Sequence, residues 1–296
     1  MTEKIHHQGR LVFFLLSSLI LLSILFYQPY ENLLKPLELY GHFFLIGIFA
    51  ATVANSTGAG GGIVFIPAFI ALGLTPLQSL ATSFAIQCFG MSSGALAWLS
   101  YRRIELVNHA PQWHDFGQIL LLSAIPSVVG ILITQQLMPD APVDVELLFS
   151  IFSLVVGIFI LIRTLKLDHE SPGRTAALSV IEKVTIVFAC LVGGVLTTWI
   201  SIAVGEILAI LLILLRFRVN LAIACAVIVT AMSVLAAIPY HIFVTEAIYL
   251  NVLLLAAAGA LIGGALARRL AIWLGAHRLK IFMACWIILS AFAYFI

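Results

Sequence analysis

The sequence predicts an all-α transmembrane protein: a polytopic helical bundle of two inverted repeats, each with an interrupted helical hairpin, plus a leading helix. Three observations predict it. Hydrophobic residues make up 62% of the chain and charged residues 9%, with mean hydropathy +1.16, far from the composition of a soluble domain. Two apolar segments are too long for a single crossing, and both are broken by glycine and hydroxyl residues. Lysine and arginine gather in short clusters between the apolar runs.

A hydrocarbon core of roughly 30 Å asks for about 20 helical residues. Leu11 to Tyr27 follows Lys4 and Arg10 and lacks a small-x-small cleavage site before Gln28-Pro29-Tyr30, so it reads as a retained leading helix. Leu39 to Gly73 is about 35 residues, roughly 50 Å as straight helix. Asn55-Ser56-Thr57-Gly58-Ala59-Gly60-Gly61-Gly62 interrupts it. Ordinary spans follow at Leu77 to Ser100, Gly117 to Met138 and Val143 to Ile162. Ile181 to Leu215 repeats the long pattern, interrupted by Gly193-Gly194, by Thr197-Thr198-Trp199-Ile200-Ser201 and by Gly205-Glu206. Glycine runs and hydroxyl residues are poor helix interior and tolerate a break. Three more spans close the chain, at Asn220 to Phe243, Ala247 to Ala267 and Leu279 to Ile296. No linker is long enough for a separate soluble domain.

The charges decide between a crossing and a hairpin, because lysine and arginine in short loops mark the cytoplasmic side. If both long segments are hairpins, Lys4, Arg10, Arg102, Arg103, Arg163, Lys166, Arg174, Lys183, Arg216, Arg218, Arg268, Arg269, Arg278 and Lys280 all lie inside, and Lys35 alone lies outside. If each crosses once, Arg102, Arg103, Arg163, Lys166, Arg174 and Lys183 join Lys35 outside. The hairpin topology puts the N-terminus in the cytoplasm, the C-terminus outside and the protein in the cell inner membrane. It divides the chain into a leading helix and external loop (1–38), a first repeat (39–162), a cytoplasmic linker (163–180) and a second repeat (181–296). Because the hairpins enter from opposite sides, the repeats are inverted, a recurring architecture of secondary transporters. A weak echo agrees: an offset of 143 lays Gly62 on Gly205, and Ser79-Leu80-Ala81-Thr82-Ser83 over Ala222-Ile223-Ala224-Cys225-Ala226.

The run Gly58-Ala59-Gly60-Gly61-Gly62, then Pro67, the turn Gly73-Leu74-Thr75-Pro76 and Ala81-Thr82-Ser83 together resemble the TauE/SafE sulfite-exporter family. The family repeats this pattern in its second half, where this chain has Ser201-Ile202-Ala203-Val204-Gly205-Glu206 without the glycine triplet. The resemblance covers most of the chain. It implies export of sulfite or a related organosulfur anion.

The breaks suit an anion on their own account. A helix that restarts after a glycine run, near Ile63 and again near Glu206, turns unpaired N–H groups and the positive end of its dipole into the protein. Candidate substrate contacts are Asn55, Thr57, Gly58, Gly60, Gly61, Gly62, Thr82, Ser83 and Gln87 in the first repeat, with Thr197, Thr198, Ser201 and Gly205 in the second. The competing reading of the small and hydroxyl residues is close helix packing. Glu206 is the acidic residue set deepest in an apolar run, where a bare carboxylate is costly unless neutral or paired. It is the candidate coupling residue, with protons as the coupling ion; a structural hydrogen bond is the alternative. Trp199 reads as packing, His241 as an interfacial residue, and Arg216 and Arg218 as topology anchors.

Other chemistries find little. Cys88, Cys190, Cys225 and Cys285 lie in apolar runs without C-x-x-C or histidine at ligand spacing, so they read as small buried hydrophobes, and neither metal nor cofactor is expected. Gly90-Met91-Ser92-Ser93-Gly94 matches G-x-S-x-G but lies within one apolar helix, where Gly90 and Gly94 form a packing face. The glycine run has no G-K-[ST] and no preceding strand. A net charge of +2 without a basic face gives nucleic acid no footing. The expectation is therefore a gradient-driven exporter of a small anion whose partners are its substrate and the lipid bilayer. The rival is a membrane-embedded enzyme or assembly factor acting on lipid or a thiol-containing partner, for which His109, His114 and Asp115 are the available polar group.

Overall fold

The computed structural model describes residues 2–27, 34–58, 60–107, 113–141, 144–166 and 177–292. Its elements are α1 (Thr2–Tyr27), α2 (Leu34–Tyr40), α3 (His42–Thr57), α4 (Gly62–Ala71), α5 (Pro76–Val107), α6 (Phe116–Leu137), α7 (Val145–Lys166), α8 (Val180–Ile200), α9 (Val204–Leu214), α10 (Val219–Phe243) and α11 (Leu250–Phe292). Five stretches, Pro76–Val107, Phe116–Leu137, Val180–Ile200, Val219–Phe243 and Leu250–Gly275, are long and apolar enough to cross a membrane. Leu45, Leu121, Val155, Ile181 and Phe188 face outward, each more than half exposed. That is the surface expected of a protein solvated by lipid tails.

Both long segments fold back on themselves. Phe43 at the start of α3 lies 5.7 Å, ring to ring, from Phe69 near the end of α4. A Cβ at Gly193 of α8 would stand 3.0 Å from the Val204 backbone at the start of α9. Ser179 begins α8 with a reciprocal cap, its Oγ accepting from the Glu182 N–H while the Glu182 carboxylate accepts from the Ser179 N–H at 2.8 Å. The helices after the hairpins run antiparallel. Phe84 of α5 stacks on His241 of α10, and four residues further along α5 the Cys88 Sγ donates to Val234 O, seven residues back along α10. The hairpins thus enter from opposite ends of the bundle and meet tip to tip.

Each hairpin packs on the other half of the chain. α3 lies along the first part of α11, where a Cβ at Gly259 or Gly263 would strike the carbonyl of Phe44 or Ile48. α8 lies along α6 in the same way, with Gly194 against the Ser127 carbonyl and Gly130 against that of Leu191. Such close backbone approach is what associates helices where lipid supplies no hydrophobic driving force. Gly90 and Gly94 do the work expected of them, the first beside Ala260 and both against Gly264 of α11.

The structure departs from expectation at five places. Residues 34–38, expected in an external loop, and Leu39 and Tyr40, expected in the first long segment, form α2. Gly193-Gly194, expected as part of the second break, lies inside α8, where its bare backbone accommodates Val204 and Ser127. The last two spans join as α11 around a corner at Gly275, whose φ of +70° only glycine adopts freely. His241 is buried, 2% exposed, because its ring stacks on Phe84 at 5.0 Å. Cys285 is exposed on an outer helical face. Ala59, His109, Arg174 and the last four residues of the final span lie outside the described residues.

Candidate functional site

The two breaks are built alike from unlike residues. Gly58 ends α3 in the left-handed conformation, φ +84°, its N–H donating to Ala54 O at 2.9 Å. Ser201 ends α8 the same way, φ +59°, donating to Thr197 O at 2.8 Å. The offset of 143 that lays Gly62 on Gly205 also lays Gly58 on Ser201 and Gly60 on Ala203. Ala203 has φ +127°, a region costing a non-glycine residue about 1–3 kcal/mol. The second break thus shares the left-handed helix end of the first, with Ser201 in place of Gly58, and stores strain at Ala203.

The tips interlock through missing side chains. A Cβ on Gly60 or Gly62 would lie 2.9 or 2.8 Å from Ile202 Cγ2, and one on Gly205 would strike the Gly58 carbonyl. Ile202 thus wedges into the first break where only glycine leaves room.

Polar groups of both halves converge around this contact. Glu206 Oε1 accepts from the Gly60 N–H at 3.2 Å, and its Oε2 from the Ala203 N–H at 2.8 Å. The offset of 143 aligns these two N–H groups, and one carboxylate spans the N-terminal sides of α4 and α9. Gln87 of α5 joins the same tips: its Oε1 accepts from the Gly61 N–H at 3.1 Å, while its Nε2 donates to Ser201 Oγ at 2.7 Å, to Ser201 O and to Ser83 Oγ. Ser201 Oγ donates to Ser83 Oγ at 3.0 Å. Thr197 Oγ1 accepts from the Val204 N–H at 3.1 Å, supporting the start of α9. All of these side chains are buried. Two backbone N–H donors on one carboxylate form a seat for an oxyanion, occupied here by the protein's own acid.

The structure thus brings together Gly58, Gly60, Gly61, Gly62, Ser83, Gln87, Thr197, Ser201, Gly205 and Glu206. Four other candidates turn elsewhere. Thr57 donates to Val53 O and Thr198 to Gly194 O, each within its own helix. Asn55 Nδ2 donates to Ala51 O and Gly90 O, and the Asn55 carbonyl accepts from Trp98 Nε1, binding α3 to α5. Thr82 Oγ1 accepts from the Tyr249 N–H at 2.9 Å, near the start of α11. Trp199 Nε1 donates to Met138 O at 3.0 Å.

Sequence reasoning missed Thr230. It is 2% exposed on α10, its Oγ1 has no hydrogen-bond partner, and it faces Gly205 at the junction. The offset of 143 lays Gln87 on Thr230, and that signal was available in the sequence. A buried hydroxyl without a partner is an unspent donor beside the carboxylate seat. At the other candidate polar group, His114 Nδ1 lies 3.0 Å from Asp115 Oδ1, with the His114 side chain 86% exposed. No cluster of metal-ligating residues occurs among the described residues.

The profile of the family described as sulfite exporter TauE/SafE matches residues 43–294. The chain is 31% identical over 91 residues to "Probable membrane transporter protein ORF9" of Sinorhizobium sp, covering 31% of this chain and 32% of that protein. It is 24% identical over 139 residues to "Probable membrane transporter protein YunE" of Bacillus subtilis (strain 168), covering 44% of each. The matched stretches thus span less than half the length of these curated relatives. No solved structure matches the chain.

Proposed function

The chain belongs to the sulfite exporter TauE/SafE family, and from that premise we propose that it is a secondary, gradient-driven transporter exporting sulfite or a related organosulfur anion. The observation that carries the reading is the Glu206 carboxylate held on the Gly60 and Ala203 N–H groups, one from each hairpin tip. A substrate oxyanion needs the same donors that Glu206 now uses. When Glu206 takes up a proton it no longer requires both, and the seat becomes available to the substrate. Gln87 and Ser201 hold the tips in register, and the Thr230 hydroxyl supplies a further donor. Proton and anion then occupy the site together and move in the same direction, so export runs down the outward substrate gradient and an acid exterior opposes it.

In this reading residues 39–162 and 181–296 act as inverted repeats in the cell inner membrane, and the site becomes accessible from alternate sides as they rock about the tips. The antiparallel course of α5 and α10 supports that arrangement. Proteoliposomes loaded with sulfite, sulfate, thiosulfate, taurine or acetate test the substrate class. Sulfite or taurine should leave well above the protein-free rate while acetate does not; equal rates for all five would reject the assignment.

Orientation has its own test. Thr75, before α5, and Arg218, before α10, are both exposed. Cysteines placed singly at each, in a background without the native four, should label from opposite faces of intact cells with an impermeant thiol reagent, Thr75→Cys from outside. Labelling of both from one face would contradict the inverted arrangement.

A further inference from the structure

A second cluster of anion-binding character lies at the end of the bundle where α5 finishes, α6 and α10 begin and α11 turns at Gly275. Its core is a strip of aromatic rings. Tyr101 meets Trp98 at 5.9 Å and Trp113 at 6.3 Å, both edge to face, and Trp113 meets Phe116 at 5.6 Å. A guanidinium lies over two of its rings. Arg268 sits 5.7 Å above the Tyr101 ring, and Arg102 sits 4.3 Å above the Phe116 ring. Ring stacking holds each planar fork in a fixed orientation and lowers the entropy lost when it binds an oxyanion.

Among the described residues, neither cation forms an ion pair with a carboxylate. The groups acting electrostatically on Arg268 are Arg10, Arg269 and Tyr101, and on Arg102 they are Arg103 and Cys225; the acid of this region, Glu105, acts on Tyr101 and bonds its hydroxyl. Both arginines are half-buried, and the Nε of each is enclosed without a hydrogen-bond partner. The Trp113 Nε1 is likewise unpartnered in a residue only 1% exposed. Like-charged neighbours around enclosed, unspent donors are unfavourable until an anion arrives.

We propose that Arg102 and Arg268, with the Trp113 indole, form an oxyanion site for a sulfate- or phosphate-type group, distinct from the hairpin junction. A free oxyanion and the headgroup of an anionic phospholipid share this chemistry. The second source is plausible in place as well as in charge, because the exposed apolar residues Ile104, Val107, Leu266 and Ile272 adjoin the arginines in sequence.

The experiment follows the thermal unfolding midpoint of the purified full-length protein in nonionic detergent. One arm titrates sodium sulfate against sodium chloride of equal ionic strength; the other titrates phosphatidylglycerol against phosphatidylcholine. At least one anion should raise the midpoint saturably. Arg102→Gln and Arg268→Gln should each weaken that binding roughly fivefold, while Arg163→Gln in the last turn of α7 leaves it unchanged. Should the glutamine variants fail to fold, Arg102→Lys and Arg268→Lys keep the charge and lose the fork, and should still weaken binding measurably. Saturable sulfate stabilisation identifies a free-anion site, and stabilisation by phosphatidylglycerol alone identifies a lipid site. The proposal is overturned if neither anion binds saturably, or if the arginine variants bind as tightly as wild type. Because the readout is binding, it stands or falls independently of transport.

Discussion

Gly61→Val is expected to reduce transport to the protein-free background while the protein still inserts in the membrane. Gly61 donates its N–H to Gln87, and a Cβ there would lie 3.1 Å from Phe65 Cε2 and 3.2 Å from Gln87 Cγ. A β-branched side chain would displace Gln87, and with it the bonds to Ser201 that hold the tips together. Overpacking of this kind costs about 1–3 kcal/mol, small against the packing of the described helices but concentrated at the proposed site. The comparison is Gly117→Val, since nothing lies within 4 Å of a Cβ there. Flux in proteoliposomes and protein level in membrane fractions are read together. Wild-type flux through Gly61→Val would exclude the first break as the substrate contact.

Glu206→Gln is expected to separate exchange from coupling. Glutamine resembles the protonated acid: one oxygen still accepts from Gly60 or Ala203, while its NH₂ meets the other N–H and cannot serve it. The seat is then permanently available to an anion, and no proton travels with it. Exchange of labelled for unlabelled substrate should persist within a few-fold of wild type. Accumulation driven by an acid exterior should be lost, because substrate and proton no longer move together. A structural hydrogen bond alone predicts another result, namely lower protein level with coupling intact in whatever protein remains. Glu206→Gln vesicles that accumulate substrate in response to pH as wild type does would eliminate the coupling role.

Much of this arrangement was legible in the sequence, and the reasons differ from element to element. The hairpins could be read because about 35 apolar residues exceed a single crossing, and because the charges favour their returning. The first break was legible because Gly58 to Gly62 announces positive φ and close approach. The second was legible at Ser201 and Gly205-Glu206, but Gly193-Gly194 was wrongly counted in it, and the turn at Ala203 could not be read because intrinsic preference does not put an alanine at φ +127°. Tertiary contact does: Ile202 fills the space left by Gly60 and Gly62 and holds the strained turn in place.

Half of Glu206's role could likewise be read. Its bond to the Ala203 N–H is the local reach-back of an acid in the first helical turn. The bond to Gly60, from a residue 146 positions away, depends on how the two halves assemble. The same holds for Thr57, Thr198 and Asn55, whose types suit a polar site but whose side chains serve their own helices or a neighbour's backbone. Thr230 was hidden for the opposite reason. One threonine in an apolar helix carries no signal until it is seen as the counterpart of Gln87.

The central claim is that substrate anion and Glu206 carboxylate use the same pair of backbone donors in turn. Infrared difference spectroscopy of the purified protein tests it most directly, by comparing spectra with and without sulfite for wild type and Glu206→Gln. The account predicts that sulfite converts an ionised carboxylate to a protonated carboxyl in wild type, with the corresponding band absent from Glu206→Gln although the variant still binds. Binding of sulfite to wild type without any carboxyl signal, or the same signal in Glu206→Gln, would contradict it.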